Sequence, residues 1–274
     1  MILGVDVGGT FLRYELRKNG VVVQTDSIKS LEIGLSAYVE NILEQYKEIK
    51  EIYISFAGQV KDGVILASPN VKIDNFNIKA YFEEKYHVEF FIENDLNCAV
   101  LAEANYLKSS DVAALYVGSG LGLGVLSNGQ LIRGSGSIAT ELGHIPYKEA
   151  PFKCGCGKSN CLELFVSGVA LDKWKNFEKI DKTYLLNDLK GSNIYKEFIE
   201  ALLHGVAITI TLFNPEILVL GGGIIQSNPE LHDIVIKSIE KYAMPISLKN
   251  IEIKNTKLTN ASLEGAFLLK EYHV

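Results

Sequence analysis

Long apolar runs are missing from this sequence. Charges or glycines interrupt every one of them before the ~18 residues that a membrane-spanning helix needs, although the mean hydropathy is +0.14. A surplus of basic residues is missing too. Against 27 lysines and arginines stand 33 acidic residues, a net charge of −6 and an isoelectric point of about 5.5, which argues against a protein that grips nucleic acid by neutralising many phosphates. No solenoid period, heptad run or low-complexity tract is present. The opening MILGVDVGGT has no basic stretch ahead of its apolar run and carries Asp6 inside it, which does not read as a signal peptide. The expected setting is cytoplasmic, with neither membrane nor nucleic acid as a partner. Cysteine is scarce as well, yet three of the four, Cys154, Cys156 and Cys161, crowd into one loop. In a reducing compartment such crowding favours a bound metal over disulfides.

What is there is a globular composition, 47% hydrophobic, well above the range that leaves chains disordered. At about 100 to 200 residues per domain, the length predicts two domains or one large one. Residues 2–6 read as a buried strand, Gly8 and Gly9 as a turn, and 11–17 and 21–27 as two more strands around Asn19-Gly20. Helical spacing comes next through Leu35, Val39, Ile42, Leu43 and Tyr46, then a strand ending near Gly58, a strand at 89–93 and a helix at 95–107. The pattern restarts near Asp111 with strands at 112–117 and 122–127. Helices are predicted at 167–177 and 193–213, the second burying Ile194, Phe198, Ala201, Leu202, Gly205, Ile208 and Leu212. A strand at 217–220, three glycines, a helix from about 229, a strand at 251–256 and a helix at 262–272 complete the chain. Lys108 to Asp111 is the natural hinge, so each half opens with a glycine-turned hairpin.

Those two turns, Gly8-Gly9-Thr10 and Gly118-Ser119-Gly120, each come after a buried strand. Glycines let backbone N–H groups converge on an anion, and the Thr10 and Ser119 hydroxyls add donors. A tight hairpin also needs glycine for steric reasons alone, so both readings stand for either turn taken singly. Gly157-Lys158-Ser159 imitates the end of a Walker A loop, but Phe152 occupies the place of its first glycine. Gly134, Gly136 and Ala139 imitate a dinucleotide fingerprint without its βαβ unit. Asn94-Asp95 sits where a strand opens into a helix, a place for a ligand-facing carboxylate or a plain helix cap. Cys154, Cys156 and Cys161, with His144 as the nearest neutral ligand, make up a tetrahedral zinc set. With all four positions filled, such a zinc is structural and holds the loop that carries Glu141 and Glu163.

Taken together, Asp6-Val7-Gly8-Gly9-Thr10, Glu93-Asn94-Asp95, Gly118-Ser119-Gly120-Leu121-Gly122, Glu141-Leu142-Gly143-His144 and the cysteine segment through Leu162-Glu163 resemble the ROK family of sugar kinases and repressors over nearly the whole chain. The resemblance implies an α/β, two-domain actin-like ATPase fold with ribonuclease H-like mixed sheets flanked by helices and a cleft between the domains. The smaller domain is expected at 1–110, joined by the C-terminal helix 261–274, and the larger at 111–260 with its zinc loop at 144–163. Asp95 is implied as the base that takes the proton from the attacking sugar hydroxyl, and Asp6 as the residue that holds hydrated Mg²⁺. Gly8, Gly9, Thr10, Arg13, Gly118, Ser119 and Gly120 are implied to face the ATP phosphates, and Gly221, Gly222 and Gly223 to pass close to the adenosine. Gly58, Asn94, Asp95, Glu141, His144 and Glu163 are implied to hold the sugar, and His144, Cys154, Cys156 and Cys161 the structural Zn²⁺.

The first phosphate strand begins at Ile2, which favours the kinase branch over repressors carrying an added DNA-binding domain. The expected activity is ATP-dependent phosphorylation of a hexose, of glucokinase type and giving the 6-phosphate, in carbohydrate metabolism at the level of glycolysis. N-acetylmannosamine and fructose are alternative acceptors, so the partners are ATP and a hexose or N-acetylhexosamine. A sugar-binding regulatory protein without turnover is the reading from another class, a structural zinc module the third, and a homodimer is implied. This sequence departs from the family pattern at Phe11, where a polar residue is usual, at Ala57, where proline is usual, and at Thr140, where glycine is common.

Overall fold

In the computed structural model residues 1–68 and 71–272 are described, and they divide into two compact units. The first comprises Met1–Tyr106, Arg133–Ala139 and Thr259–Val274, the second Leu107–Ile132 and Thr140–Leu258. The last two residues of the expected 261–274 segment lie outside the described residues.

The first unit is built on a five-stranded sheet. Strand β1 (Ile2–Val7) turns into β2 (Phe11–Lys18) and β3 (Val21–Lys29), an antiparallel meander. Helix α1 (Leu35–Gln45) returns the chain to β4 (Glu51–Phe56), parallel to β1. A hairpin, β5 (Gln59–Lys61) and β6 (Val64–Ala67), and helix α2 (Ile78–Tyr86) precede β7 (Glu89–Asn94), parallel to β4, and helix α3 (Asp95–Leu107). The strand order is β3-β2-β1-β4-β7. β1 and β4 read as near-continuous apolar runs because parallel strands are buried on both faces. β3, at the edge, is exposed along almost its whole length.

The second unit repeats the layout. β8 (Val112–Val117), β9 (Leu121–Ser127) and β10 (Gln130–Leu131) form the meander. Helices α4 (Gly168–Phe177) and α5 (Asn193–Phe213) lead to β11 (Ile217–Gly221), and α6 (Gly223–Ser227) and α7 (Glu230–Ser238) to β12 (Glu252–Asn255). The order β10-β9-β8-β11-β12 matches the first sheet strand for strand, with β11 parallel to both its neighbours. Each unit has its own apolar core, around Leu3, Val5, Phe56, Phe82 and Phe90 in one and Leu115, Phe198, Leu202 and Leu220 in the other.

Helix α5 starts on the Ser192 hydroxyl, which accepts from Tyr195 N–H, and stops at Asn214 in the left-handed region. Its buried face drifts from the expected one. Beyond Gly205 the core side continues through Val206, Thr209 and Ile210, while Leu212 is 70% exposed, although 18 residues at 3.6 per turn return it to the face of Ile194; at this end of the helix the core covers a different side from the one the period marks. The closing helix is shorter than the spacing predicts. α8 (Ala261–Ala266) packs on β1 and β4, and residues 267–272 continue as turns. Packing ends it: Gly265 lies against the Cys98 carbonyl, and the Phe267 ring fills the space over Gly4.

Candidate functional site

Parallel pairing of β1, β4 and β7 brings Val7, Phe56 and Asn94 into register, so the chain leaves all three strands at one edge of the sheet, where α/β proteins place ligands. The turn after β1 is closed by Gly8 N–H donating to Phe11 O (3.0 Å). Behind it sits Ser30, 1% exposed, whose hydroxyl donates to Gly8 O (2.6 Å) and whose N–H donates to Thr10 O (3.0 Å). After β4, a Cβ on Gly58 would fall 2.5 Å from Ala67 O, so no side chain fits there. Arg13 is exposed, 5.5 Å over the Phe11 ring.

Two readings of Asn94-Asp95 are separated by the hydrogen bonds. Asn94 is the cap: its Oδ1 accepts from Leu96 N–H (2.9 Å) and Asn97 N–H (3.2 Å), and its Nδ2 donates to Gly58 O (3.0 Å). Asp95 is therefore the first residue inside α3, half-buried, with Oδ1 accepting from Leu96 N–H (3.0 Å). One amide N–H of Asn94 has no acceptor among the described residues.

Asp6 is 8% exposed at the centre of this edge. Its Oδ1 accepts from the Ser262 hydroxyl (2.9 Å), and its Oδ2 lies 3.6 Å from the Arg13 guanidinium. Burial outweighs these partners and holds its pKa above the ordinary aspartate value. A raised carboxylate pKa means that the folded chain binds the proton more tightly than the unfolded chain. Stability therefore falls as pH climbs from the ordinary value through the raised one, and stays lower above it. Asp6→Asn is expected to raise the Tm at pH 7 by about 2–4 °C, equivalent to ~1 kcal/mol in a domain of this size. Melting curves from pH 3 to 7 should show this gap closing in acid.

Glu93, 4% exposed, holds the strand end from beneath. Its Oε1 accepts from Asn94 N–H (2.8 Å) and Asn97 Nδ2 (3.1 Å), and its Oε2 accepts from Arg133 Nε (2.6 Å). Arg133 begins the short segment 133–139 that joins the first unit, closed on itself by Ala139 N–H to Arg133 O (2.9 Å) and tied down by Lys61 Nζ to Ser135 O (2.9 Å).

In the second unit the turn Gly118-Ser119-Gly120 occupies the equivalent place between β8 and β9. Gly118 N–H donates to Gly120 O (3.0 Å), and the start of α4 meets the turn through Gly168 N–H to Gly118 O (2.8 Å) and Val169 N–H to Ser119 O (3.1 Å). After β11, Gly221 backs onto the Tyr116 ring. Gly222 takes φ 85° with the Val117 main chain 2.5 Å from where a Cβ would stand, so only glycine serves there. Gly223 opens α6.

Glu141, His144 and Glu163 come together beside this turn. His144 Nε2 lies 3.9 Å from Glu141 Oε2, its Nδ1 lies 3.7 Å from Glu163 Oε1, and Glu163 Oε2 is 3.3 Å from the Cβ position of Gly120. His144, Cys154, Cys156 and Cys161 bring four ligand atoms within 4.8 Å of one another. Cys156 and Cys161 sulfurs are 3.4 Å apart, and Cys154 Sγ is 3.4 Å from His144 Nδ1. Thiolates sharing a tetrahedral zinc lie about 3.8 Å apart, from bonds of ~2.3 Å, so the donor set fits that ion in number, chemistry and spacing. Burial raises the pKa of Cys154 and Cys161, while the main chain at Lys158 lowers that of Cys156. Cys98, fully buried on α3, belongs to the core.

Four groups here have no signal in the sequence. Ser262 lies 256 positions from Asp6 and Arg133 lies 40 from Glu93, so no local pattern connects them. Ser30 and Gly168 sit behind the turns and carry no motif. Among the described residues no helix is long and apolar enough to cross a membrane.

The model of the ROK family matches residues 2–272. The chain belongs to the ROK family. Its fold is accordingly that of the actin-like ATPases, consistent with two sheets of identical strand order. The glucokinase of Thermotoga maritima is 27% identical over 98% of the chain and 97% of its own length. The xylose repressor of Caldicellulosiruptor bescii is 27% identical over 80% of the chain, which spans 65% of that repressor. Among solved structures, a ROK family glucokinase from Streptomyces griseus, in complex with glucose and AMPPNP, superposes with a TM-score of 0.77 at 23% identity, covering 97% of each chain.

Proposed function

We propose that this ROK protein is a sugar kinase that moves the γ-phosphoryl group of ATP to a hexose hydroxyl, the primary alcohol giving the 6-phosphate. The observation that carries the reading is the hydrogen bonding at Asn94-Asp95: the cap is supplied by Asn94, so Asp95 is a half-buried carboxylate that opens α3 at the same sheet edge as the Gly8-Gly9 turn, in a family that includes glucokinases. In this reading the sugar oxygen attacks the γ-phosphorus, its proton passes to the Asp95 carboxylate, and the bond from that phosphorus to the β,γ-bridging oxygen breaks to release ADP. Phosphoryl transfer has a loose transition state, so positioning and charge compensation do most of the catalysis. At the Gly8-Gly9-Thr10 and Gly118-Ser119-Gly120 turns, the N–H groups of Gly9, Ser119 and Gly120, which do not close the turns, donate to phosphate oxygens, with Arg13 as an exposed cation nearby. Mg²⁺ held near Asp6 would neutralise the developing charge.

Asn94, through its remaining amide N–H, and Glu141, His144 and Glu163 take the sugar hydroxyls, with Gly58 keeping side chains away. Cys154, Cys156, Cys161 and the Nδ1 of His144 would hold a zinc ion, which would fix the ring and leave His144 Nε2, on the side of Glu141, to meet a hydroxyl. Which hexose fits is decided by a panel of glucose, mannose, fructose, N-acetylglucosamine and N-acetylmannosamine with ATP and Mg²⁺, coupled to ADP release. Turnover of at least one is expected. Absence of ADP with every sugar, at millimolar concentration and with the metal cluster loaded, refutes the kinase reading.

A second reading is a sugar-responsive regulator, favoured by a xylose repressor as identical to this chain as the glucokinase is. Calorimetric sugar binding without ADP formation would select it.

A further inference from the structure

The amino end of α4 is the kind of place where phosphate ordinarily binds directly, on free N–H groups at the positive end of the helix. Here the first two of those groups are spent on protein: Gly168 N–H donates to Gly118 O (2.8 Å) and Val169 N–H to Ser119 O (3.1 Å). In a trans peptide the carbonyl and the following N–H point in opposite directions. Anchoring the Gly118 and Ser119 carbonyls on the helix therefore turns the N–H groups of Ser119 and Gly120 to the far side of the turn. Neither N–H has a partner among the described residues. The third donor of the turn, Gly118 N–H, closes the turn on Gly120 O (3.0 Å).

The first unit achieves the same orientation without a helix. Ser30 takes the Gly8 carbonyl on its hydroxyl and the Thr10 carbonyl on its N–H, which leaves Gly9 N–H facing away from Ser30. Two turns at equivalent places in two sheets are each gripped from behind by their carbonyls. That recurrence separates the arrangement from ordinary hairpin closure, which needs only the bond across the turn.

We propose that Gly168 and Val169 are positioning residues for the nucleotide, holding the Gly118 and Ser119 carbonyls so that Ser119 and Gly120 N–H groups are aimed at the phosphate chain. The proposal rests on the sugar-kinase reading and adds residues that never touch the nucleotide. Gly168 has no room for a methyl group: a Cβ would stand 3.0 Å from the Gly118 carbonyl oxygen, which must then move by a few tenths of an ångström. The helix end cannot yield instead, because Ser167 locks it on both sides. Its hydroxyl accepts from Ala170 N–H (3.1 Å) and donates to Glu163 O (2.8 Å).

The test is calorimetry with Mg²⁺-AMPPNP and, separately, with the best sugar of the panel, on the full chain and two variants. Gly168→Ala shifts the Gly118 carbonyl. Val169→Pro deletes the N–H that holds Ser119, at an exposed first-turn position where proline is tolerated. Each is expected to weaken AMPPNP about tenfold to a hundredfold, the span set by a misdirected hydrogen bond to a charged group, with sugar affinity within about twofold. The KM for ATP should rise in proportion while the KM for sugar holds. If Gly168→Ala does not fold, Val169→Pro decides alone. AMPPNP affinity equal to the parent's in the folded variants, or nucleotide and sugar weakened alike, overturns the proposal. A parent chain that binds no AMPPNP overturns the kinase reading itself, a different result from a parent that binds and variants that bind as well.

Discussion

Replacing Asp95 by asparagine is expected to lower turnover by about 10²- to 10⁴-fold, the usual loss when a general base is removed, and to leave the fold and both ligands in place. The substitution is nearly isosteric, and an amide oxygen can still accept from Leu96 N–H as Oδ1 does now. Helix α3 keeps its start because Asn94, not Asp95, caps it. What asparagine cannot do is take a proton from the sugar alcohol. Melting temperature, AMPPNP affinity and sugar affinity should match the parent within a few-fold, so the whole deficit falls on kcat. Turnover within tenfold of the parent, under conditions where chemistry limits the rate, would remove Asp95 from the mechanism. Asn94→Ala is expected to lower both stability and sugar affinity, because Asn94 caps α3 and its remaining amide N–H is proposed to hold a sugar hydroxyl. Loss of a cap costs about 1 kcal/mol, read as a lowered Tm.

Stripping the metal is expected to be the more disruptive change to structure. The three thiols and the imidazole are drawn within 4.8 Å, and two of the cysteines are buried, so their thiolates need a cation to be tolerated. Cys154 Sγ also lies 2.8 Å from Glu163, one of the carboxylates proposed to hold the sugar. Structural zinc supplies about 10–16 kcal/mol to zinc-finger peptides. In a loop already packed on a core a loss of about 3–5 kcal/mol is expected, or a Tm lower by about 10 °C. Sugar affinity should fall at least about tenfold, since His144 and Glu163 both lean on the cluster. Dialysis against a chelator, with melting curves and sugar titration before and after Zn²⁺ is restored, measures both. A protein purified without metal and unmoved by Zn²⁺ would show that the cluster is not a metal site.

How much of the fold and the site is legible in the sequence depends on distance along the chain. The meanders, both glycine turns and α5 are written locally, in alternation, in glycine after a buried strand, and in a 3.6-residue period opened by Ser192. The β5–β6 hairpin carries a signal too, Asp62-Gly63, both with positive φ, a turn type that favours this dipeptide. The length of α8 is not local. It is fixed by Gly265 meeting Cys98 and by Phe267 lying over Gly4. Site residues obey the same rule. The cysteine spacing announces its cluster, whereas the burial of Asp6 beneath Ser262, the Glu93–Arg133 ion pair and the carbonyl grips of Ser30 and Gly168 depend on tertiary contacts that no window of sequence displays.

The segment 133–139 and helix α8 also bear on the order in which a ribosome can deliver a finished protein. Domains emerging from synthesis tend to fold in turn from the amino end. Here the unit that emerges first cannot be completed first. Glu93 stays an unneutralised buried carboxylate until Arg133 has been made, and β1 and β4 stay uncovered until residues 261–266 leave the exit tunnel. Nascent chains arrested at residue 110 should therefore be digested readily by protease. Protection of the first sheet should appear only at full length, after the second unit has already folded.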